Sequence, residues 1–164
     1  MRIAIRPLAP EDAPACDTIM RGLPHFFSHE GGLAACREAV RSQAGYVADD
    51  GGVIGFATWE PRTPASAEIT WMAVQEGQRH GGIGTAIIER LVEDLRARGY
   101  ALALAMTSAR PKRAGIEDTY GPTRQFWAAR GFLPLIELDI WETDVALLQV
   151  RAIGRSSSIG PSSS

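Results

Sequence analysis

The sequence predicts an α/β (α+β) domain, a mixed sheet with helices packed against it. Three observations carry this. Strand-like and helix-like segments follow one another in the order β–α–α–β–β–β–α–β–α–β–β. An Asp49-Asp50-Gly51-Gly52 turn between two β-rich runs marks a hairpin. A long amphipathic stretch between two apolar runs marks a helix lying between strands.

Arg2 to Arg6 alternates polar and apolar residues up to Pro7 and reads as the first strand. Pro10-Glu11-Asp12 suits the first turn of a helix, because proline is tolerated there and carboxylates favour the positive end. That helix is expected to run to about Arg21 and stop at Gly22-Leu23-Pro24. A second helix spans about Leu33 to Ser42. The connection between them holds His25, Phe26, Phe27 and His29, and two adjacent phenylalanines in a loop must cover something. His25, Phe26 and Phe27 are therefore candidates for a substrate-pocket wall. The hairpin pairs Gly45–Ala48 with Val53–Trp59, and Ala67–Val74 forms a further strand. Gly82 to Arg98 is a long helix with Ile83, Ala86, Ile87, Leu91 and Leu95 on one side, capped by Gly99. Tyr100 to Met106 is a strand, followed by a polar stretch from Thr107 to Asp118. Pro122 opens a short helix that reaches Arg130 and ends at Gly131. Phe132–Trp141 and Asp144–Val150 complete the sheet, the latter as an edge strand open to pairing with a second copy. The domain covers residues 1–151. The Gly/Ser-rich segment 152–164 buries too little apolar surface to offset its ordering entropy and is expected to be a flexible tail.

The 164 residues fit one domain, and 45% apolar with 22% charged residues is globular composition. Seventeen basic residues against nineteen acidic ones give a formal net charge of −2, with no electrostatic footprint for nucleic acid or an anionic membrane. No apolar run approaches the roughly 20 residues that span a bilayer, and no export signal is visible. Cys16 and Cys36 are too few for a disulfide framework, lack a CxxC spacing, and read as two small buried thiols. The chain reads as cytoplasmic. No cluster of ligand residues points to a metal.

The informative segment runs from Met72 through Gln75-Glu76-Gly77-Gln78-Arg79-His80-Gly81-Gly82-Ile83-Gly84-Thr85. It is a strand, a basic glycine-rich turn and a helix start. Backbone N–H groups at a helix N-terminus have no internal partners and carry the positive end of the dipole. Glycines remove the side chains that would hold a phosphate away, and Arg79 and His80 add donors. A pyrophosphate suits such a turn, although a strand-to-helix turn also needs flexible glycines for its own geometry. The spacing is neither a Rossmann GxGxxG nor a P-loop.

Arg79-x-x-Gly82-x-Gly84 resembles the (Q/R)xxGx(G/A) acetyl-CoA signature of the GNAT superfamily of N-acetyltransferases. Phe126-Trp127-Ala128-Ala129-Arg130-Gly131-Phe132 resembles its FYxxxGF element, with Trp127 where Tyr is usual. The two motifs stand in the right strand and helix order, and the likeness covers about residues 3–150. The resemblance implies a mostly antiparallel sheet of six or seven strands flanked by about four helices, with a V-shaped split between the two central strands. It implies acetyl-CoA as co-substrate, with the pantetheine arm on Met72 and Val74, an oxyanion-stabilising N–H near Ala73, and Trp127 beside the arm. The pyrophosphate would lie on Arg79, His80, Gly81, Gly82, Ile83, Gly84 and Thr85.

The reaction implied is acetyl transfer to a primary amine, a small molecule or a peptide, by direct attack in a ternary complex. An alkylammonium ion with a pKa of about 10 must lose its proton first, so a base or water chain is needed. Glu68 heads the strand that presents the thioester and is the candidate base. By simple alternation Glu68, Thr70, Met72 and Val74 share one face. Tyr120 stands where the family often has Asn; it offers a phenol for the departing thiolate or packs at the helix entrance. The substitutions at positions 120 and 127 leave a second reading open, an acyl-CoA-binding sensor without turnover.

Overall fold

The computed structural model describes residues 2–27 and 30–154. Along the chain lie β1 (Ala4–Pro7), α1 (Ala13–Arg21), α2 (Glu30–Ser42), β2 (Ala44–Asp49), β3 (Val53–Thr63), β4 (Ser66–Val74) and α3 (Ile83–Ala97). They are followed by β5 (Leu102–Pro111), α4 (Gly121–Ala129), β6 (Leu133–Leu138) and β7 (Asp144–Ala152). All seven strands join one sheet in the order β1-β2-β3-β4-β5-β7-β6. Every neighbouring pair is antiparallel except β4 and β5, whose parallel pairing requires the crossover through α3. Among the described residues, no helix is long and apolar enough to cross a membrane.

β4 and β5 pair only from Ser66↔Leu102 to Ile69↔Ala105, although β4 continues to Val74 and β5 to Pro111. Beyond that point the two strands part and open the sheet. A β-bulge lies at the branch. Thr58 pairs with Trp71 and Trp59 with Ile69, so Thr70 is the extra residue on β4. One extra residue reverses the alternation of side chains. Ala67 and Ile69 before the bulge, and Met72 and Val74 after it, all pack toward the α3 core. Trp71 and Ala73 pack toward α1 and α2. The single face expected for Glu68, Thr70, Met72 and Val74 is thereby corrected. Met72 and Val74 are on the α3 side of the sheet, and Glu68, two residues before the bulge, falls on the α1/α2 side.

Each face of the sheet has its own core. Ile87, Ile88, Leu91 and Leu95 of α3 are fully buried against Ala57, Ala67, Ala103 and Phe132, at about 1.5–3 kcal/mol for each large side chain. Gly99, at φ 91°, ends this helix. On the other face Cys16, Met20, Cys36 and Val40 meet Val47 and Phe56. Both thiols are free, and burial pushes that of Cys16 up to about 12 and raises that of Cys36 as well. Neither is a thiolate at neutral pH.

Several boundaries differ from the sequence expectation, among them that α2 begins at Glu30 rather than about Leu33, β3 runs on to Thr63 and β6 ends at Leu138. Thr107 to Pro111, expected in a polar loop, continues β5 because it pairs with Leu147 to Asp144 of β7. β7 is internal, lying between β5 and β6, so β6 rather than Asp144–Val150 forms the edge. Ala152 closes β7, and Ile153 is buried with its N–H donating to Ala101 O at 2.9 Å. Residues 155–164 of the expected tail lie outside the described residues.

The entry into α1 is fixed by a charge cluster. Arg6 donates to both Asp12 oxygens at 2.8 and 2.9 Å and to Asp49 at 2.9 Å, while Asp12 accepts the Ala9 N–H at 2.8 Å. The Arg6 hydrogen bond holds the Asp12 carboxyl below the usual carboxylate range, despite its burial. A depressed folded-state pKa contributes stability above the unfolded value and loses it as pH falls through the folded one. Asp12→Asn is expected to cost about 1–2 kcal/mol at neutral pH, a figure reduced for the partial exposure of Arg6. The deficit should begin to shrink as pH falls below about 4 and vanish only below the lowered folded-state value, which thermal melts across that range would check.

Candidate active site

The gap between β4 and β5 widens into a cleft of about 1320 Å³ that runs from the β4–α3 turn to the β6–β7 connection. One wall is β4 itself. Gln75 N–H donates to Ile54 O at 2.8 Å, which fixes the alternation of the antiparallel β3–β4 ladder. Ala73, paired with Phe56, therefore directs its N–H to β3. The backbone groups of Met72 and Val74 point the other way, into the gap. The oxyanion-stabilising N–H expected near Ala73 is therefore that of a neighbour, Met72 or Val74, and Ala73 itself also lines the cleft.

At one end of the cleft stands the glycine-rich turn. The N–H groups from Arg79 to Thr85 donate to no protein acceptor among the described residues, and the first helical bond is Ala86 N–H to Gly82 O at 3.0 Å. The N-cap position, Gly82, has no side chain to take those donors. Its φ of 79° and the 73° of His80 lie in the left-handed region, which glycine adopts freely and other residues adopt at a cost. Gly84 is small for a different reason. A Cβ there would come within 2.7 Å of the Met72 Cε and 3.3 Å of the Phe126 ring. Arg79, His80, Gly82, Gly84 and Thr85 line the cleft, whereas Gly81 does not and the Ile83 side chain is buried in the core. Trp127 is buried between Phe126 and Phe132, at 5.3 and 4.9 Å between ring centroids, and one edge of it reaches the cleft.

The sequence offered no signal for one residue beside this turn. Arg130 donates to the Thr85 hydroxyl in the first turn of α3 and lies over the Phe126 ring at 5.2 Å. It brings a further cation to the helix N-terminus.

The connection between α1 and α2 covers the middle of the cleft. Phe26 meets the Tyr120 ring edge-on at 5.6 Å and lies under the Arg79 guanidinium at 4.9 Å. Phe27 stacks on Trp71 at 6.2 Å. His25 stays outside and faces a neighbouring cavity of about 670 Å³, and His29 falls outside the described residues. Tyr120 is the N-cap of α4 and lines the cleft. Burial, and then the Asp144 carboxylate, push its phenol above the ordinary value, so it is a proton donor at neutral pH.

Glu68 lies beside the branch point, 7% exposed, and lines the cleft. It stands directly opposite Glu60 in the β3–β4 register, a like-charge pairing that is unfavourable alone. Arg62 resolves it by reaching Glu68 at 2.5 Å and Glu60 at 2.7 Å. The basic run Arg110–Arg113 and Arg124 contribute nothing to the cleft lining. Arg110 pairs with Glu137, Lys112 with Asp139, and Arg124 with Asp118. Among the described residues no group of three or more His, Cys, Asp or Glu could hold a metal ion.

A family model described as an acetyltransferase (GNAT) domain matches residues 41–133, more than half of the chain. No curated protein matches the sequence. Among solved structures, a GNAT-family protein from Desulfovibrio desulfuricans superposes with a TM-score of 0.77 at 24% identity, covering 93% of this chain and 99% of its own. YncA from Salmonella typhimurium, solved with its cofactor acetyl-CoA, gives 0.70 at 14% identity over 98% and 99% of the two chains. A GNAT acetyltransferase from Elizabethkingia anophelis with acetyl-CoA bound gives 0.70 at 16% identity over 92% and 97%. At these identities the likeness is one of fold. The family match over residues 41–133 decides the rest: the chain belongs to the GNAT acetyltransferases.

Proposed function

We propose that this protein is an N-acetyltransferase that moves an acetyl group from acetyl-CoA to a primary amine, with both bound at once in a cytoplasmic enzyme. One observation carries the reading. The sheet splits where an unpartnered row of N–H groups, Arg79 to Thr85, meets the exposed backbone of Met72 and Val74. Those residues fit the group they would hold. A pyrophosphate needs donors with no side chain in front of them, which Gly82 provides, and Arg79, Arg130 and the α3 dipole add positive potential. An amide-bearing arm needs backbone donors and acceptors at alternate residues, which Met72 and Val74 provide.

The chain's own residues then divide the chemistry. Met72 N–H faces the thioester oxygen, where negative charge grows as the amine nitrogen bonds to the carbonyl carbon. Glu68 accepts the proton that the nitrogen releases, directly or through one water. Arg62 holds the carboxylate in place. The C–S bond breaks, and Tyr120 donates its phenolic proton to the sulfur. A covalent relay has no support, since Cys16 and Cys36 are buried in the α1/α2 core and keep their protons.

Tyr120→Phe is expected to lower kcat by about tenfold, below the usual range for a general acid because a thiolate leaves readily. The amine KM should change little, and product release traces would show slower thiol appearance. The function itself is tested by thiol release with an amine panel, beside calorimetric binding of acetyl-CoA. Acceptor-dependent release is the expected result. Tight binding with no such release across a broad panel would favour the acyl-CoA sensor instead.

A further inference from the structure

The outer half of the sheet is covered on one side only. α1 and α2 pack on β3 and β4, while on the opposite side α3, Trp127 and Phe132 bury Ala103 and Ala105 of β5. The strand register then puts Leu104 and Met106 of β5, Leu148 and Val150 of β7, and Leu133 and Ile136 of β6 together on the α1/α2 side. None of these six belongs to either core. The β5 and β7 residues are half-buried, and Leu133 and Ile136 are 67% and 49% exposed. No charged residue takes a position on this face from Leu102 to Ser108, from Ala146 to Ala152 or from Leu133 to Leu138. Five of the eight large apolar residues exposed among the described ones lie between Leu133 and Trp141, so the patch is one surface rather than scattered single residues.

We infer that this face is the contact between two copies of the chain, packed sheet against sheet about a two-fold axis parallel to the strands. In this arrangement β7 lies over the partner's β7, and β6 over the partner's β5. The shape of a single chain favours it. α1 and α2 stand beside the bare strands as a layer about 10 Å thick, and sheets packed face to face lie about 10 Å apart. Two such steps interlock, each chain's helices meeting the other's β6 edge, and the isologous contact closes after two copies. Size points the same way. With strands about 4.8 Å apart and a rise of about 3.4 Å per residue, a face three strands wide and about eight residues long measures about 400 Å² in projection. Side-chain relief and the bordering helices bring the total for two copies to about 1,000 Å², where specific interfaces begin. A single extended peptide would cover about a third of that width. Strand addition at the edge is discouraged by Pro134 and by the bulge between Pro134 and Ile136. The chain's own segment from Arg155 to Ser164 carries one large apolar residue, Ile159, and is too polar to fill the face. Such pairing is independent of the acetyl-transfer reading above.

Sedimentation equilibrium measures the association directly. The full chain is expected to sediment at twice its own mass at about 100 µM. Leu133→Glu and Ile136→Glu change residues that are exposed in a single chain. Each should shift the monomer–dimer midpoint by at least about tenfold, because dimerisation would now bury a carboxylate against apolar surface. Their circular dichroism should match wild type. Ile3→Glu alters an exposed apolar residue in the same way, but beside β1 at the far edge of the sheet, and should leave the dimer intact. Should the β6 variants fail to fold, hydroxyl-radical labelling of the wild-type dimer takes their place, with Leu133 and Ile136 expected to be protected. A wild-type chain that stays monomeric up to about 100 µM overturns the proposal and leaves the face to a protein of another sequence. A dimer that both β6 variants leave unchanged overturns it too, as does free labelling of Leu133 and Ile136 in the dimeric protein.

Discussion

Glu68→Gln is expected to lower kcat/KM for the amine by about 10²–10⁴-fold at neutral pH, the usual contribution of a positioned base. The substitution keeps the shape of the side chain and removes the proton acceptor. Alkylamines are overwhelmingly protonated at neutral pH, so the enzyme must take the proton somewhere along the reaction. As pH rises and free amine becomes abundant, the deficit should shrink, because less of the work falls on the base. Acetyl-CoA affinity should hardly move, since Glu68 lies beside the branch of β4 and β5 rather than at the phosphate turn. A carboxylate that only anchored the acceptor would behave differently, raising the amine KM without convergence at high pH. The change also releases Arg62 from one of its two partners, but Glu60 remains at 2.7 Å. Unfolding of the variant should therefore stay close to wild type, which a melt recorded beside the kinetics would establish. Near-normal rates from about pH 6 to 9 would remove Glu68 from the mechanism and leave a water chain from another group.

How much of this was legible in the sequence depends on the range of the physics. The β2–β3 hairpin is local, written in Asp50 and Gly51, and the structure pairs it as expected. The turn before α3 is also local, because the donors and the glycines that bare them are neighbours in the chain. The bulge at Thr70 was not legible. Period-two alternation is a rule for an uninterrupted ladder, and nothing in Ile69-Thr70-Trp71 announces that β3 will meet two residues with one. That single residue moved Met72 and Val74 to the opposite face from Glu68. Thr107 to Pro111 read as loop because the strand β7 that pairs with it lies more than thirty residues later. Arg130 and the carboxylates spread along the cleft wall were hidden for the same reason. Arg130 meets Thr85 across 45 positions, and Glu38, Glu68 and Asp144 come from three elements that only the folded sheet gathers.

Gly82→Asp is expected to weaken acetyl-CoA binding by at least about tenfold, or about 1.4 kcal/mol, while the fold survives. A Cβ at this position meets nothing within 4 Å, so no packing is lost. The left-handed φ of 79° costs about 1 kcal/mol or somewhat more, and aspartate tolerates that region better than most residues. The new side chain also occupies the N-cap position of α3, which has no side-chain cap. An aspartate there accepts from the N–H groups two and three residues beyond it, those of Gly84 and Thr85. Its carboxylate thus competes with the pyrophosphate twice, by taking its donors and by placing a like charge beside it. Stability should hold steady or rise as affinity falls, an opposition that simple unfolding cannot mimic. Gly82→Ala supplies the control, since it carries the strain without the charge or the acceptor and should leave most of the affinity. Gly84→Asp makes a poorer test, because its Cβ would meet Met72 at 2.7 Å and disturb the wall that holds the arm. Calorimetry and circular dichroism on the Gly82 pair decide the matter. Unchanged affinity in Gly82→Asp would take the pyrophosphate off this turn, and with it both acetyl transfer and the acyl-CoA sensor.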